Sequence, residues 1–387
     1  MPEKHARFSP SAAERYIRCP PSLILGEEAG PEDTGSDYTM EGTDAHSLCE
    51  FLLKKELGLP VEEPKLSYYT KEMQECAEGY RDMVMELYGD LKKTCPDPFI
   101  SIEQRVSIEE YVEGAFGTTD ALLIGKDELV IVDFKYGKGV EVSAEDNSQL
   151  KCYALGAYTA FSSLYDISRI TLVIYQPRIN NFSRWSLTAS SLLSWAENTL
   201  KPAGEMALHG EGDYASGTWC RFCKAKTVCR KRAEENLALA RYDFARPDTL
   251  EDDEVNVILS KLDDLVSWAG DVKEYALQRA LSGYVWEDWK VVAGKSNRRY
   301  TDEDAVAEAL TAIGIDPYQR KLVPLTDMEK EMGKKKFQEV LGKYIIKPEG
   351  KPVLVKMDDK RPPINNCNVA SQVSLNSGLG ASKLTYR

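Results

Sequence analysis

The sequence predicts an α/β fold, with a mixed central sheet flanked by helices and a mainly helical C-terminal extension. Two β-rich runs at 121–124 and 129–134 flank a short polar break that contains Gly125, which is typical of a β-hairpin. A helix-periodic run at 149–164 follows the hairpin, and a further strand is predicted at 170–176. Strands and helices in this order indicate a layered α/β domain.

The other elements are predicted from capping residues and hydrophobic periodicity. Ser9-Pro10 places an N-cap residue before a proline, which is favoured at the first position of a helix. The elements expected before the hairpin are a short helix ending near Ile17, helices at 43–57 and 67–93, and a strand at 99–108. Those expected after it are an outer strand at 181–187, helices at 190–208, 249–281, 301–313 and 326–341, and a short strand at 286–293.

Changes in composition divide the chain into three parts. We expect the α/β domain to occupy 1–240 and a helical accessory domain to occupy 241–357. Residues 358–387 are rich in Ser, Asn, Pro and Gly, which predicts a flexible tail.

The overall composition limits the possible classes of protein. The 387 residues carry 49 Lys and Arg against 62 Asp and Glu, and the net charge of −13 does not favour indiscriminate binding to nucleic acid. No apolar run approaches about 18 residues and no signal peptide is visible, so we expect a cytoplasmic protein without a membrane segment. Nine cysteines in such a chain indicate ligands or core thiols rather than a disulfide framework.

Two carboxylates and an ammonium are expected to meet at the open end of the hairpin. Asp120 and Asp133 are equidistant from the turn, so antiparallel pairing places them opposite each other, roughly 5 Å apart at Cβ. Lys135 lies two residues after Asp133 and leaves the same face of the strand. Because carboxylates are the ligands of hard cations such as Mg²⁺, the pattern predicts a metal site with a lysine beside it. The alternative is a solvated hairpin end with a surface ion pair.

A polar motif continues onto the following helix. Asp146-Asn147-Ser148 supplies residue types that favour an N-cap. Gln149 and Tyr153 are four residues apart, so they share one helical face.

Taken together, these motifs resemble a known family. Their order, GxxD, DxK and QxxxY, is similar to that of the RecB-like branch of the PD-(D/E)XK nuclease superfamily, which includes AddB-type and CRISPR adaptation nucleases. The motif residues are Gly117 and Asp120, Asp133 and Lys135, and Gln149 and Tyr153. The C-terminal half, including the stretch 333–363, is in addition similar to an uncharacterised family of phage and prophage proteins that carry a RecB-like nuclease core. That resemblance covers most of the chain but informs function only through residues 1–235.

The resemblance implies a restriction-endonuclease-like core with a metal-dependent active site. It implies that Lys135 positions the attacking water, while Gln149 and Tyr153 orient the lysine or touch the DNA backbone. The expected catalytic residues are Asp120, Asp133, Lys135, Gln149, Tyr153 and Glu103. The expected ligands of Mg²⁺ or Mn²⁺ are His46, Asp120, Asp133 and the carbonyl of Phe134. From the residues alone, His46 also suits a helix cap and Glu103 a solvent-facing strand position.

A cysteine-rich stretch follows the predicted core. Cys220, Cys223 and Cys229 are spaced as C-x₂-C-x₅-C, a set of soft ligands that lacks a fourth member, and Cys19 is the candidate far upstream. The resemblance implies that these four hold a 4Fe–4S cluster that ties the two ends of the domain together. Four thiolates also suit tetrahedral zinc, and unligated thiols are the third possibility.

The same stretch is rich in basic residues and has Trp219 and Phe222 among them. Cations that grip phosphates beside aromatic rings that stack on bases are typical of single-strand binding. A solvated helix start is the alternative. The candidate DNA-contact residues are Arg221, Lys224, Lys226 and Arg230.

The sequence thus predicts a metal-dependent DNA nuclease, expected to be an exonuclease of phage recombination or DNA processing in the bacterial cytoplasm. Its substrate would be single-stranded DNA or duplex ends, and a single-strand annealing protein is a candidate partner. No Walker motif is present, so any helicase partner would be a separate chain. The alternatives are a non-catalytic DNA- or protein-binding module of a recombination complex and a zinc-stapled structural phage protein.

Overall fold

The chain consists of two units, Met1–Val292 and Ala293–Arg387. The residues that the computed structural model describes are 6–29, 37–238, 250–292, 303–312 and 325–345. The flexible tail expected at 358–387 lies outside the described residues. The expected boundary near residue 240 stays a prediction.

Five strands of the first unit form one mixed sheet. They are β1 Phe99–Ser107, β2 Phe116–Ile124, β3 Glu128–Phe134, β4 Arg169–Gln176 and β5 Asn181–Thr188. The order across the sheet is β1-β2-β3-β4-β5, and only the β3–β4 pair is parallel. Every residue of β3 is buried, as expected for a central strand covered on both faces. The predicted hairpin is thus confirmed as β2 and β3.

Helices cover both faces of the sheet. In chain order they are α1 Ala13–Arg18, α2 Ser22–Glu28, α3 Asp37–Glu56, α4 Lys71–Lys92, α5 Ser148–Phe161, α6 Ala189–Trp195, α7 Lys201–His209, α8 Arg230–Leu237 and α9 Asp252–Leu281. Short 3₁₀ turns lie at Pro10–Ala12, Pro177–Ile179 and Thr218–Phe222. α5 makes the crossover that the parallel β3–β4 pair requires. The predicted α/β class is confirmed.

Two hydrophobic cores lie on the two faces, because alternate strand residues point in opposite directions. Leu122 and Ile131 belong to the core that contains buried residues of α1, α5 and α6. Leu123 and Val132 belong to the core that contains α3 and α4. The strand residues that carry the polar motif therefore come from a rigid, doubly covered centre.

Local sequence signals explain where the helices begin. The Asn147 side chain accepts a hydrogen bond from the Leu150 amide at the start of α5, which confirms the predicted cap. Thr70 does the same for the amide of Met73 at the start of α4. The helix predicted at 190–208 is divided by a π-helical turn at Ala196–Leu200, two residues before Pro202, whose missing N–H disrupts the normal ladder.

The short strand predicted at 286–293 is wrong for the part that the structure describes. Residues 286–292 belong to no strand. The Trp286 indole N–H instead donates to the Ala276 carbonyl at 2.9 Å, and its ring meets Tyr284 edge-on at 4.6 Å. The segment packs back on α9 rather than extending beside a partner strand.

The described part of the second unit is helical. It contains α10 Glu303–Ala312, α11 Leu325–Met332, α12 Lys334–Leu341 and a 3₁₀ turn at Gly342–Tyr344. Gly333 separates α11 from α12 with φ of 77°, a left-handed conformation that favours glycine, so the single helix expected at 326–341 is two. In the described residues of the chain, no helix has the length and hydrophobicity needed to cross a membrane.

Candidate metal centre

The β2–β3 register brings the two aspartates together. Ala121 pairs with Val132, so the next step along the ladder places Asp120 opposite Asp133. The backbone ladder ends at this point, and the Phe134 amide donates to Asp120 Oδ2 at 2.7 Å instead. A side-chain oxygen therefore takes the place of a backbone acceptor, which fixes the Asp120 carboxylate at the strand end.

Glu103 reaches the same place from β1. Its neighbours Ile102 and Gln104 pair with Ala121 and Thr119, so Glu103 stands opposite Asp120. The ladder breaks there because Glu103 has φ of 52°, a conformation uncommon for any residue but glycine. Such backbone strain costs about 1–3 kcal/mol and is concentrated at functional sites. Burial, and then the charge of Asp120, raise the pKa of Glu103 to about 7.

His46 completes a three-residue group from α3. Its Nδ1 lies 3.2 Å from Asp120 Oδ1, and its ring meets Phe134 edge-on at 5.3 Å. Burial lowers the pKa of His46, but the neighbouring Asp120 and Asp133 outweigh burial and raise it to about 9. Potential ligand atoms of His46, Glu103 and Asp120 all lie within 4.8 Å of one another. Within the described ranges, this is the one group of three or more such residues.

The donor set fits a divalent cation. Two carboxylates with an imidazole offer both oxygen and nitrogen, and carboxylate-rich sites are those that Mg²⁺ and Mn²⁺ use. Asp133 adds a buried oxygen that is not yet used, since Oδ2 accepts no hydrogen bond in the described chain. Lys135 Nζ lies 2.9 Å from this oxygen as its ion-pair partner. A buried carboxylate oxygen beside an ammonium is an oxygen ligand of the kind that hard cations take.

Gln149 connects the lysine to the rest of the site. Its Oε1 accepts from Lys135 Nζ at 3.2 Å, and its Nε2 donates to Asp133 Oδ1 at 3.2 Å and to the Tyr153 hydroxyl at 3.0 Å. Burial lowers the pKa of Lys135, but the charge of Asp133 outweighs burial and raises it. Lys135 is therefore an ammonium at neutral pH, held from two sides.

Gly117 explains the first position of the GxxD motif. A Cβ at Gly117 would lie 2.6 Å from Pro10 Cγ and 2.9 Å from Tyr153 Cε1. Only a residue without a side chain lets the N-terminal 3₁₀ turn and Tyr153 approach β2 this closely. The structure thus brings the motif residues on β2, β3 and α5 together, with His46 and Glu103 beside them.

The four cysteines line one small cavity. Cys19, at the end of α1, meets Cys220, Cys223 and Cys229 there. The Ala215 amide donates to Cys19 Sγ at 3.5 Å and the Gly217 amide donates to Cys220 Sγ at 3.4 Å. Their sulfurs do not come within 4.8 Å of one another as a group of three. Among the described residues, these cysteines therefore form no compact group of metal ligands.

Only part of the basic stretch is exposed to solvent. Lys226 Nζ lies 2.9 Å from Asp271 Oδ1, and Arg232 is 1% exposed and pairs with Asp271 Oδ2 at 2.7 Å. Arg232 also lies 3.5 Å from Asp264 Oδ1, so two positive charges of this stretch are paired with two acidic residues of α9. Arg221, Lys224 and Arg230 are exposed, and so is the Phe222 ring.

A second polar cluster beside the site was missed by the motif analysis. Arg178 contacts Glu41 on α3 at 3.3 Å and Glu72 on α4 at 3.2 Å, and its guanidinium lies 4.3 Å from the ring centroid of Tyr136. It thus joins α3, which carries His46, to α4 and to the chain just after Lys135. In the sequence, the only sign of this cluster is that Arg178 directly follows Pro177, the residue that ends the predicted strand.

Comparisons with known proteins place the chain in a family. The crystal structure of SSO0001 is similar at 15% sequence identity, covering 48% of this chain and 95% of that chain, with a TM-score of 0.22. At that TM-score the likeness carries no argument about the site. The model of the family "Protein of unknown function (DUF2800)" matches residues 5–362 of the 387. The chain therefore belongs to the DUF2800 family.

Proposed function

We propose that the protein is a metal-dependent DNA nuclease of the RecB-like PD-(D/E)XK type. One observation carries the proposal: His46, Glu103 and Asp120 offer ligand atoms within 4.8 Å of one another, while the Lys135 ammonium lies 2.9 Å from Asp133. A carboxylate-rich metal site with an adjoining cation suits hydrolysis of a phosphodiester, because negative charge develops on the phosphate during attack.

Each side chain has a role in this proposal. His46, Glu103, Asp120 and Asp133 would hold Mg²⁺ or Mn²⁺, and we extend the ligand set to the Phe134 carbonyl. A bound cation would lower the pKa of a water ligand and neutralise charge on the phosphate. Lys135 would orient the attacking water.

Gln149 and Tyr153 act through the lysine. Gln149 accepts from Lys135 and donates to Asp133, so it sets the distance between the ammonium and the carboxylate. The Tyr153 hydroxyl accepts from Gln149, and its own proton is available for a phosphate oxygen of the DNA backbone.

The test is cleavage of end-labelled DNA, linear and circular, single- and double-stranded, with Mg²⁺, Mn²⁺ or EDTA. We expect wild-type protein to degrade linear DNA only with metal, and Lys135→Ala to lose cleavage while keeping its fold. Lys138→Ala is the matched control, because Lys138 lies three residues on and pairs with Glu72 at the surface. Full activity of Lys135→Ala would refute the mechanism. No cleavage by the wild type on any substrate would favour a non-catalytic binding module.

We propose further that Cys19, Cys220, Cys223 and Cys229 hold a 4Fe–4S cluster. Their shared cavity supports this, as do the two backbone amides that donate to sulfur, since such hydrogen bonds accompany cluster thiolates. Arg15 lines the same cavity and would balance part of the charge of the thiolates.

Anaerobic purification tests the cluster proposal. We expect a brown protein with visible absorbance and about four iron atoms per chain. Cys229→Ser should lose both, whereas Cys95→Ser, outside the cavity, should keep them. A colourless protein with one bound zinc would refute the cluster and support a zinc staple.

We place DNA contact on the exposed part of the basic stretch. Arg221 and Arg230 would bind phosphates, together with Lys224, and the Phe222 ring would stack on a base. The setting we propose is phage recombination beside a single-strand annealing protein or a separate helicase. Arg221→Ala should weaken single-strand binding and reduce its salt dependence, measured by fluorescence anisotropy at several salt concentrations.

A further inference from the structure

Tyr80 is a buried polar residue that none of the motifs includes. It lies on α4, is 1% exposed, and packs between Phe134 at 5.2 Å and Tyr175 at 6.1 Å between ring centroids. Its hydroxyl has no hydrogen-bond partner in the described part of the chain. Phenylalanine would fill the same space without burying a polar atom, so the hydroxyl requires an explanation.

The surroundings of the hydroxyl point to the metal centre. Tyr80 and His46 both pack against the ring of Phe134, whose amide holds the Asp120 carboxylate. Burial raises the pKa of Tyr80 well above its usual value, and the charge acting most strongly on its hydroxyl is that of Asp120. Asp133 and Glu103 act in the same direction. The hydroxyl is therefore a buried donor without a partner among the described residues, on a ring that packs beside residues of the metal centre.

We infer that Tyr80 is a positioning residue of the metal centre, whose hydroxyl donates to an oxygen bound to the cation. That oxygen belongs either to a carboxylate ligand or to a metal-bound water, and either one can accept a hydrogen bond from the Tyr80 hydroxyl. The inference rests on the proposed function of this site. Hydrogen bonds to metal ligands fix their orientation, and their loss lowers metal affinity by about 10- to 100-fold.

Tyr16 supplies a matched control. It is 0% exposed, and its hydroxyl likewise lacks a hydrogen bond of good geometry. Tyr16 belongs, however, to the core on the opposite face of the sheet, beside the Cys152 thiol. Tyr16→Phe removes a buried, unpaired hydroxyl, as Tyr80→Phe does, but leaves the ring that packs against Phe134 unchanged.

The experiment measures binding of Mn²⁺ by calorimetry to wild type, Tyr80→Phe and Tyr16→Phe, together with thermal unfolding with and without Mn²⁺. We expect Tyr80→Phe without metal to be at least as stable as wild type, because it loses an unpaired buried hydroxyl. Its affinity for Mn²⁺ should fall by about 10- to 100-fold, with a smaller metal-induced rise in Tm. Tyr16→Phe should keep wild-type affinity.

Affinity for Mn²⁺ decides the result. Wild-type affinity in Tyr80→Phe would overturn the inference and leave the proposed nuclease untouched. An equal loss in Tyr16→Phe would also overturn it, since the effect would then come from any buried hydroxyl. Failure of the wild type to bind Mn²⁺ would overturn both the inference and the metal-dependent mechanism.

Discussion

Substitution of Gly117 by alanine tests whether the close approach at the GxxD motif matters to the site. The added Cβ would lie 2.6 Å from Pro10 Cγ and 2.9 Å from Tyr153 Cε1. Carbon atoms in contact prefer about 3.5–4.0 Å, so the neighbours must withdraw by about 1 Å. The proline ring is rigid, and Tyr153 is held by its bond to Gln149.

The structure sets the expected size of the effect. Overpacking of this kind costs about 1–3 kcal/mol of stability. A displaced Tyr153 would also pull on Gln149, which holds both Lys135 and Asp133. Because misplacement of reacting groups by about 1 Å costs about 100-fold in rate, we expect Gly117→Ala to lose 10- to 100-fold in cleavage per folded molecule.

Gly204→Ala separates crowding from catalysis. A Cβ on Gly204 would lie 2.8 Å from Val112 Cγ2, which is similar crowding on α7 without any contact to the site. Both variants would be measured by urea unfolding and by metal-dependent cleavage under conditions where each is folded. We expect full cleavage from Gly204→Ala. If both variants cleave at the wild-type rate, or lose the same factor, the reasoning about Gly117 is wrong.

Two further predictions concern the charged side chains of Arg178 and Asp271. Arg178→Met should weaken Mn²⁺ binding measured by calorimetry, because α3 loses its ion pair through Glu41. Arg178→Lys should bind Mn²⁺ with an affinity between those of Arg178→Met and wild type, because lysine keeps the positive charge but lacks the forked guanidinium. Burial raises the pKa of Asp271, but hydrogen bonds from Lys226 and Arg232 outweigh burial and hold that pKa below its usual value. Asp271 therefore stabilises the fold above its unfolded pKa of about 3.9, and this is lost as the pH falls through the folded pKa. Asp271→Asn should be less stable than wild type at pH 7 in urea unfolding, and the difference should shrink as the pH falls below about 3.9. A difference that stays constant as the pH falls would contradict this.

The hairpin site could be predicted because its parts are close in sequence. Asp120 and Asp133 are symmetric about a short turn, and strand periodicity then places Lys135. Gln149 and Tyr153 follow on the next helix with a spacing of one turn. Local geometry alone is enough to bring such residues together once the strands pair.

Interactions between distant segments could not be predicted in the same way. Arg178 meets Glu41 across 137 residues, and no local pattern indicates which acids a lone arginine will find. The left-handed backbone of Glu103 arises where β1 passes the carboxylate pair, since strand propensity at 99–107 gives no sign of it. The sequence made Lys226 a candidate DNA-contact residue, but Asp271 on α9 pairs with it and with Arg232.

Cys19 is synthesised long before the residues that meet it in the cysteine cavity. Its sulfur accepts from the amide of Ala215, 196 residues later. At about 5–20 residues per second, roughly 10–40 s of translation separate them. All five strands have been synthesised by then, while α1 still lacks this anchor. We expect a chain released before Ala215 to keep the β2–β3 hairpin and its aspartates, yet to leave the N-terminus open to proteolysis.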